Sequence, residues 1–260
     1  RNTVLFPQQV IPIYIGREKS LKLISDLELE KRKYIIVVAQ EDGSIEDPQP
    51  EDLYAYGTLA TVLKVFAMPD NSKSAIVQGI SRVKILDYIE KEPYFKAAVS
   101  TISDDPASNE LDLVSIADNL RKSFSDLIKV APNLTEEHTG MLSNIQKPNR
   151  LVDRAISLMT LPNQEKQDIL EETNVKKRIE KAISIINREI QRIKLGDEIQ
   201  TEVHDEIAKT QREYYLREQM KAIQKELGED EGTVELKELE DRIKAAKMPE
   251  ESESVAMKEL

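Results

Sequence analysis

The sequence predicts an α+β fold, in which a small β-barrel or strongly bent sheet precedes a helical bundle and one long helix. Short β-rich segments recur about every 8–12 residues up to residue 105. Beyond that point the apolar residues recur with a period of about 3.6, which is typical of helices. Residues 175–227 contain no Pro and are followed by Gly228, as expected for a single long helix.

The first 105 residues predict six strands and one helix. Pro12 within the apolar run 10–15 predicts an edge or bulged strand. A helix is predicted over 17–31, and the Pro-rich, acidic stretch 41–52 predicts a surface loop. We expect Gly79 to interrupt the strand ladder. Two strands can pair in parallel only if the helix 17–31 or the long loop separates them along the chain. The other predicted strands span 34–40, 58–66, 74–78, 82–90 and 94–102.

The following residues predict four or five short helices. Asn109 can cap a helix that stops before Pro132, and Thr135, Pro148 and Pro162 each mark the start of another. Residues after Gly228 predict further charged helices, so the sequence reads as a piece of a longer chain. The predicted domains are a β-domain (1–105), a helical bundle (106–174), a long helix that packs on the bundle and projects from it (175–228) and the start of a linker (229–260).

The predicted long helix carries an apolar seam. Isoleucines at 179, 183, 186, 190 and 193 step by four and three residues, which is a heptad pattern. Such a helix would be about 80 Å long, so we expect it to leave the body it starts from and to need a partner. Gly in a helix interior destabilises the helix by about 1 kcal/mol relative to Ala, so Gly196 predicts a bend or local loosening there. The predicted inter-domain or oligomer contacts are Ile186, Ile190, Tyr214, Tyr215 and Met220.

Composition excludes several classes of protein. Charged residues make up 33% of the chain and the formal net charge is -11, which opposes attraction to nucleic acid. No segment approaches the roughly 18 uncharged apolar residues that span a membrane. The absence of Cys excludes disulfides and thiolate metal sites and fits a reducing, cytoplasmic compartment.

No catalytic, cofactor or metal site is predicted. None of the eight Gly belongs to a phosphate-binding pattern. His138 and His204 stand alone in predicted helices, without a partner at metal-ligand spacing. No nucleophile elbow is present, and the acidic pairs occur where helix surfaces and loops normally carry charge.

Apolar residues beside turns give the candidate binding site. Phe66 and Met68 lie at a strand end, and Phe6 lies near the start of the chain. One interpretation is that Phe6 and Phe66 close the core of the β-domain. The other is an exposed apolar groove for extended polypeptide, to which Met is suited because its side chain adapts to varied partners. The predicted substrate-binding residues are Phe6, Pro12, Tyr14, Phe66 and Met68.

Four stretches give the chain a family resemblance. They are Leu5-Phe-Pro7 with Val10-Ile-Pro-Ile13, Gly57-Thr58 with the strand to Phe66, Pro148–Asp153 with Glu165–Glu171, and Gln211–Glu229. The chain resembles the N-terminal region of Lon, the ATP-dependent protease of the AAA+ class, along essentially all of its length. The resemblance implies a PUA-like β-domain, a helical bundle and a long helix. It also implies an ATPase module and a Ser-Lys peptidase beyond Leu260, so no catalytic residue is carried over.

The resemblance implies a substrate-recognition role. In that role the chain binds unfolded, damaged or regulatory proteins and positions them for the ATPase and peptidase of a hexamer. ATP and Mg²⁺ are then expected to bind the ATPase module beyond this chain, and no cofactor is expected in the chain itself. A second hypothesis makes residues 175–227 chiefly an oligomerisation scaffold with little substrate binding. A third, nucleic-acid binding, is suggested by the PUA-like fold alone and is opposed by the acidic balance.

Overall fold

The computed structural model describes residues 3–29, 33–70, 72–105, 110–227, 232–246, 248 and 250–259. It contains five strands: β1 (Val10–Ile15), β2 (Tyr34–Val37), β3 (Tyr56–Ala67), β4 (Lys73–Glu90) and β5 (Lys96–Thr101). The helices are α1 (Glu18–Leu29), α2 (Glu110–Ile128), α3 (Glu136–Ser143), α4 (Pro148–Leu158), α5 (Asn163–Glu171), α6 (Val175–Leu227), α7 (Gly232–Ala245) and α8 (Glu250–Glu259). The predicted α+β fold, with one long helix after several short ones, is confirmed.

The five strands form one antiparallel sheet in the order β1-β4-β3-β2, with β5 also paired to β4. β4 pairs with β1 near its start and with β5 near its end, so it joins both parts of the sheet. Register shifts interrupt the β3–β4 and β4–β5 ladders, and such bulges bend a sheet. The parallel pairing left open by the sequence does not occur among the described strands.

The β3–β4 ladder is interrupted beside Gly79, as predicted, by a bulge. The strands predicted at 74–78 and 82–90 are nevertheless one continuous strand, β4. Gly79 pairs with Ala60, and the extra residue of the bulge is Ile80. A Cβ on Gly79 would lie 2.3 Å from the carbonyl oxygen of Phe6. The glycine is therefore required because another segment of backbone crosses the strand closely, a role that Gly often has inside strands.

Two apolar cores stabilise the first part of the chain. The extended segment at Val4, Leu5 and Phe6 alternates between them, because successive side chains of extended backbone point in opposite directions. Leu5 belongs to the core between the sheet and α1, with Ile15, Ile24, Leu27, Ala60, Ala75 and Val77. Val4 and Phe6 belong to the larger core with the helices, whose other members include Tyr54, Leu120, Phe124, Leu151, Ile156, Ile169, Ile179 and Ile186.

By compactness the chain divides into two units, Arg1–Lys194 and Leu195–Leu260, and α6 contributes to both. The domain boundaries predicted at 105, 174 and 228 follow the order of the elements and stay predictions, because compactness divides the chain elsewhere. α6 continues through Gly196 without a break in its helical backbone, and the bend or local loosening expected there stays a prediction. The cost of one glycine, about 1 kcal/mol, is too small to end a helix flanked by good helix formers.

Candidate functional site

One surface of the sheet exposes several apolar side chains, and we call this surface the outer face. In the ladder, Tyr14 of β1 and Phe66 of β3 both pair with Ser74 of β4, and Pro12 and Lys64 both pair with Ile76. Directly paired residues in a sheet point to the same side, so these side chains share one surface. The outer face comprises Val10, Pro12, Tyr14, Lys64, Phe66, Met68, Ser74 and Ile76.

The opposite surface of the same strands is buried. Ile15, Ala75 and Val77 pack in the core beneath α1, whereas Tyr14 is 64% exposed, Phe66 40% and Met68 41%. Antiparallel sheets commonly bury one face, but their open face is usually polar. Contiguous exposed apolar groups of this kind mark interaction surfaces.

Local contacts hold the aromatic rings of the outer face in position. The Tyr14 hydroxyl donates a hydrogen bond to Oδ2 of Asp70 over 3.0 Å. Asp70 also accepts hydrogen bonds from the hydroxyl and the backbone N–H of Ser72, and these bonds, with that from Tyr14, lower the pKa of its carboxyl. The Lys64 ammonium lies 4.9 Å from the centroid of the Phe66 ring, a cation–π contact. These contacts restrain the side chains of Tyr14 and Phe66 on the outer face.

Four of the five predicted substrate-binding residues lie together on the outer face: Pro12, Tyr14, Phe66 and Met68. Phe6 lies elsewhere, in the core shared with the helices, and only 1% of its surface is exposed. In this structure its ring is not accessible to a ligand. Val10 and Ile76 complete the face and were missed from sequence, because only the pairing of β1 and β4 places them beside Tyr14 and Phe66.

β1 is an edge strand of the described sheet, and a proline removes one of its backbone donors. β1 lies at one end of the strand order, as the prediction of an edge strand requires. Pro12 stands in the middle of β1 and has no N–H to donate. Proline in an edge strand is a known means of preventing further strand pairing. We therefore expect recognition by the outer face to rely mainly on side chains.

The residues predicted to make inter-domain or oligomer contacts fall into two groups. Ile186 is fully buried in the larger core, and Ile190 is partly buried against it. Both contact the helical bundle of their own chain, and Ile186 has no surface left for another copy. Tyr214, Tyr215 and Met220 lie on the second unit's part of α6, and each is at least 60% exposed.

Within the described residues no group of His, Asp and Glu is arranged to hold a metal ion. His138 has a local role at the start of α3, where its Nδ1 accepts a hydrogen bond from the backbone N–H of Thr135 over 3.0 Å. His204 lies on α6 with its side chain exposed. No helix of the described chain is long and apolar enough to cross a membrane.

The bent antiparallel sheet, the short helices and the long helix together define an α+β domain of the kind found at the N-terminus of Lon proteases. The fold is similar to that of the N-terminal domain of a Mycobacterium avium complex Lon protease, with a TM-score of 0.57 over 72% of this chain and 94% of that one. The two sequences are only 20% identical, so this likeness shows the fold alone.

Sequence comparison gives the family. The chain belongs to the ATP-dependent protease La (Lon) substrate-binding domain family, whose model matches residues 1–188. It is 41% identical over 262 residues to a Lon protease of Koribacter versatilis and 39% identical over 261 residues to one of Dictyoglomus thermophilum. All of this chain is covered in both cases, but only 32% and 33% of those proteins. The chain thus spans about a third of the length of these curated relatives, and the resemblance predicted from sequence is confirmed.

Proposed function

We propose that this chain is the substrate-binding N-terminal region of a cytoplasmic, ATP-dependent Lon-like serine endopeptidase, and that unfolded polypeptide docks on the outer face. The observation that carries the proposal is that Tyr14, Phe66 and Met68 expose their apolar side chains on one surface of the sheet. A chain that has lost its fold exposes apolar side chains, and burying them against this face releases about 25 cal/mol for each Å² removed from water.

The proposal does not need high affinity at one site. In the intact protein, ATP and Mg²⁺ would be held by an ATPase module, and several copies around a ring would present several outer faces. Linked weak sites raise the effective concentration of a bound chain, so overall avidity can exceed single-site affinity by about 10²–10⁴. Damaged or unfolded proteins, which share no sequence, are suited to recognition of this kind.

The test uses the whole 260-residue chain and fluorescently labelled casein as the unfolded probe, with binding followed by fluorescence anisotropy. Replacing Phe66→Ser and Met68→Ser together should weaken binding by about tenfold, because two exposed apolar contacts are lost. The matched control replaces Leu29→Ser and Val114→Ser, which are also exposed apolar residues but lie on α1 and α2. Equal weakening by both pairs, or no binding by the unmodified chain, would contradict the proposal.

A second candidate function is that α6 acts as an oligomerisation scaffold. It is supported by apolar residues on the second unit's part of α6 that are about half exposed or more: Leu195, Ile199, Val203, Ile207, Met220 and Ile223. A helix that carries such residues along its length normally buries them against a partner. The resemblance to Lon suggests further copies of this chain as that partner.

Sedimentation of the whole chain over a range of concentrations separates the two roles. Ile199→Asp with Ile207→Asp should abolish any concentration-dependent oligomer, since charge at an apolar seam is costly. Gln200→Asp with Gln211→Asp adds similar charge at exposed polar positions of α6 and is the control. Ile186 and Ile190 are unsuitable for this test, because Asp at these buried or half-buried positions would disrupt the core of the first unit.

A further inference from the structure

A polar cleft in the first unit lies between the turn at residues 7–9 and the segment 144–157. Its volume is about 440 Å³, within the range of roughly 300–1,000 Å³ found for ligand sites. The residues that line it include Gln8, Gln9 and Gln146, which carry amide groups, and Lys147, Arg150 and Arg154, which carry positive charge. We refer to this site as the basic cleft.

The three cations carry charge that is not neutralised locally. Among the described residues, none of them has a carboxylate within 4.0 Å, although many other Lys and Arg of this chain are paired. Asp153 also lines the cleft, but its Oδ1 and Oδ2 lie 2.6 and 2.8 Å from the guanidinium of Arg82. In a chain with a net charge of -11, this cleft is a local site of positive potential.

The wall of the cleft formed by residues 7–9 is held rigidly. Gln9 N–H donates to the Phe6 carbonyl over 3.2 Å, and Phe6 N–H donates to Oε1 of Gln9 over 3.0 Å. Gln8 has a φ of 66°, the left-handed conformation that the third position of a type II turn requires. Its N–H donates to the Gly79 carbonyl over 2.9 Å, which ties the turn to β4. A residue other than Gly is uncommon in this conformation, and residues held in it cluster at binding sites.

We propose that the basic cleft binds carboxylate groups of an acidic polypeptide segment. Arg guanidinium groups match carboxylates in shape and bind them through paired charge-assisted hydrogen bonds. The glutamine amides that surround the cations can donate to and accept from peptide groups. No aromatic residue is among the described residues that line the cleft, so there is no surface on which a nucleotide base could stack.

This inference rests on the proposed function and deepens it, because it names a class of substrate sequence. The outer face binds apolar side chains, whereas the basic cleft binds acidic ones and lies on different elements. A substrate in which an acidic stretch accompanies an apolar one would then engage two sites of one chain.

The test measures binding of a fluorescein-labelled peptide rich in Asp and Glu to the whole 260-residue chain, compared with the same peptide carrying Asn and Gln. Arg150→Glu with Arg154→Glu should weaken binding of the acidic peptide by about tenfold or more, and raised salt should do the same. Lys33→Glu with Lys91→Glu changes the net charge equally at exposed positions outside the cleft and should leave affinity unchanged. Arg150→Gln with Arg154→Gln removes both cations without adding negative charge, so it is less disruptive to the fold. This variant should also weaken binding of the acidic peptide.

Three outcomes would overturn the inference. One is that the cleft pair and the control pair of substitutions weaken binding of the acidic peptide equally, which would indicate that the peptide responds to the overall charge of the chain. Another is equal affinity for the acidic and amide peptides. The third is displacement by tripolyphosphate, used as a competing probe, at concentrations well below those of unlabelled acidic peptide, which would make the cleft a phosphate site. The Phe66→Ser, Met68→Ser variant separates the two proposals, since it should lose casein binding and retain the acidic peptide.

Discussion

The guanidinium of Arg82 on β4 forms a two-bond ion pair with the carboxylate of Asp153 on α4, with N···O distances of 2.6 and 2.8 Å and both side chains 5% exposed. Arg82 Nε also donates to the Leu170 carbonyl over 2.8 Å. Arg178 of α6 lies 3.5 Å from the same carboxylate. Asp153 thus links the sheet, the bundle and the start of the long helix inside the first unit.

Replacing Asp153→Ala should lower the free energy of unfolding by about 3–5 kcal/mol, because the buried Arg82 would lose both hydrogen bonds to its carboxylate. Asp104, 3.9 Å from Arg82, would then balance the charges of Arg82 and Arg178 alone among the described carboxylates. Urea denaturation followed by circular dichroism measures the change. The control is Asp126→Ala, which breaks the exposed Lys129–Asp126 pair at the end of α2 and should cost less than about 1 kcal/mol. Similar losses in the two variants would show that the buried pair contributes little.

Asp104 gives the first unit a stability that depends on pH. Burial disfavours its ionised form, but hydrogen bonds from Asn149 and Arg178 and the charges of Arg178 and Arg82 outweigh burial and lower its pKa. A carboxyl with a lowered pKa in the folded state stabilises the fold fully above its unfolded pKa, near 3.8, and this contribution is lost as the pH falls through the folded pKa.

Asp104→Asn should therefore be less stable than the unmodified chain at neutral pH, and the difference should shrink as the pH falls below about 4. Urea denaturation at a series of pH values gives the curve. Asn149→Ala removes one of the hydrogen bonds that lower the folded pKa of Asp104, so the acid-dependent loss should be smaller and should be complete at a higher pH than in the unmodified chain. A difference for Asp104→Asn that stays constant into strong acid would show that this carboxyl does not supply the pH dependence.

Gly79 and Gly140 should respond in opposite ways to the same substitution. Gly79→Ala places a Cβ 2.3 Å from the Phe6 carbonyl oxygen and 3.1 Å from Cγ2 of Thr58, so we expect a loss of about 1–3 kcal/mol in unfolding free energy. Gly140 lies on the exposed side of α3 with nothing within 4 Å of an added Cβ, so Gly140→Ala should gain up to about 1 kcal/mol. Thermal denaturation distinguishes them, and a stabilising Gly79→Ala would mean that the crossing at Phe6 moves freely.

Gly196→Ala should slow local opening of α6. An added Cβ meets nothing within 4 Å, and Ala in a helix interior is favoured over Gly by about 1 kcal/mol. Amide hydrogen exchange around residue 196 should therefore slow by about fivefold, while amides of β3 keep their rates. Unchanged exchange at 196 would indicate that opening of α6 does not depend on this residue.

Sequence signals predicted the helices better than the sheet. Thr135 and Pro148 start their helices as expected because N-caps and proline act locally. The start and end of α6 were predicted because Gly228 follows an uninterrupted run of helix formers. The continuity of β4 was missed, since the crossing of Phe6 over Gly79 depends on a contact between distant parts of the chain. Arg82 and Asp153 are 71 residues apart, and neither gives a local signal that distinguishes a buried charge from a solvated one.

Pro12 has a consequence for the time that a captured chain would remain bound. Polypeptide docked on the outer face has no continuous backbone ladder to form along β1, because the proline withholds a donor at its centre. Contacts made by side chains alone can break one at a time, which favours rapid dissociation. In the proposed function, such loose retention would let a bound chain move onward, and Pro12 would at the same time keep the sheet from pairing with that chain.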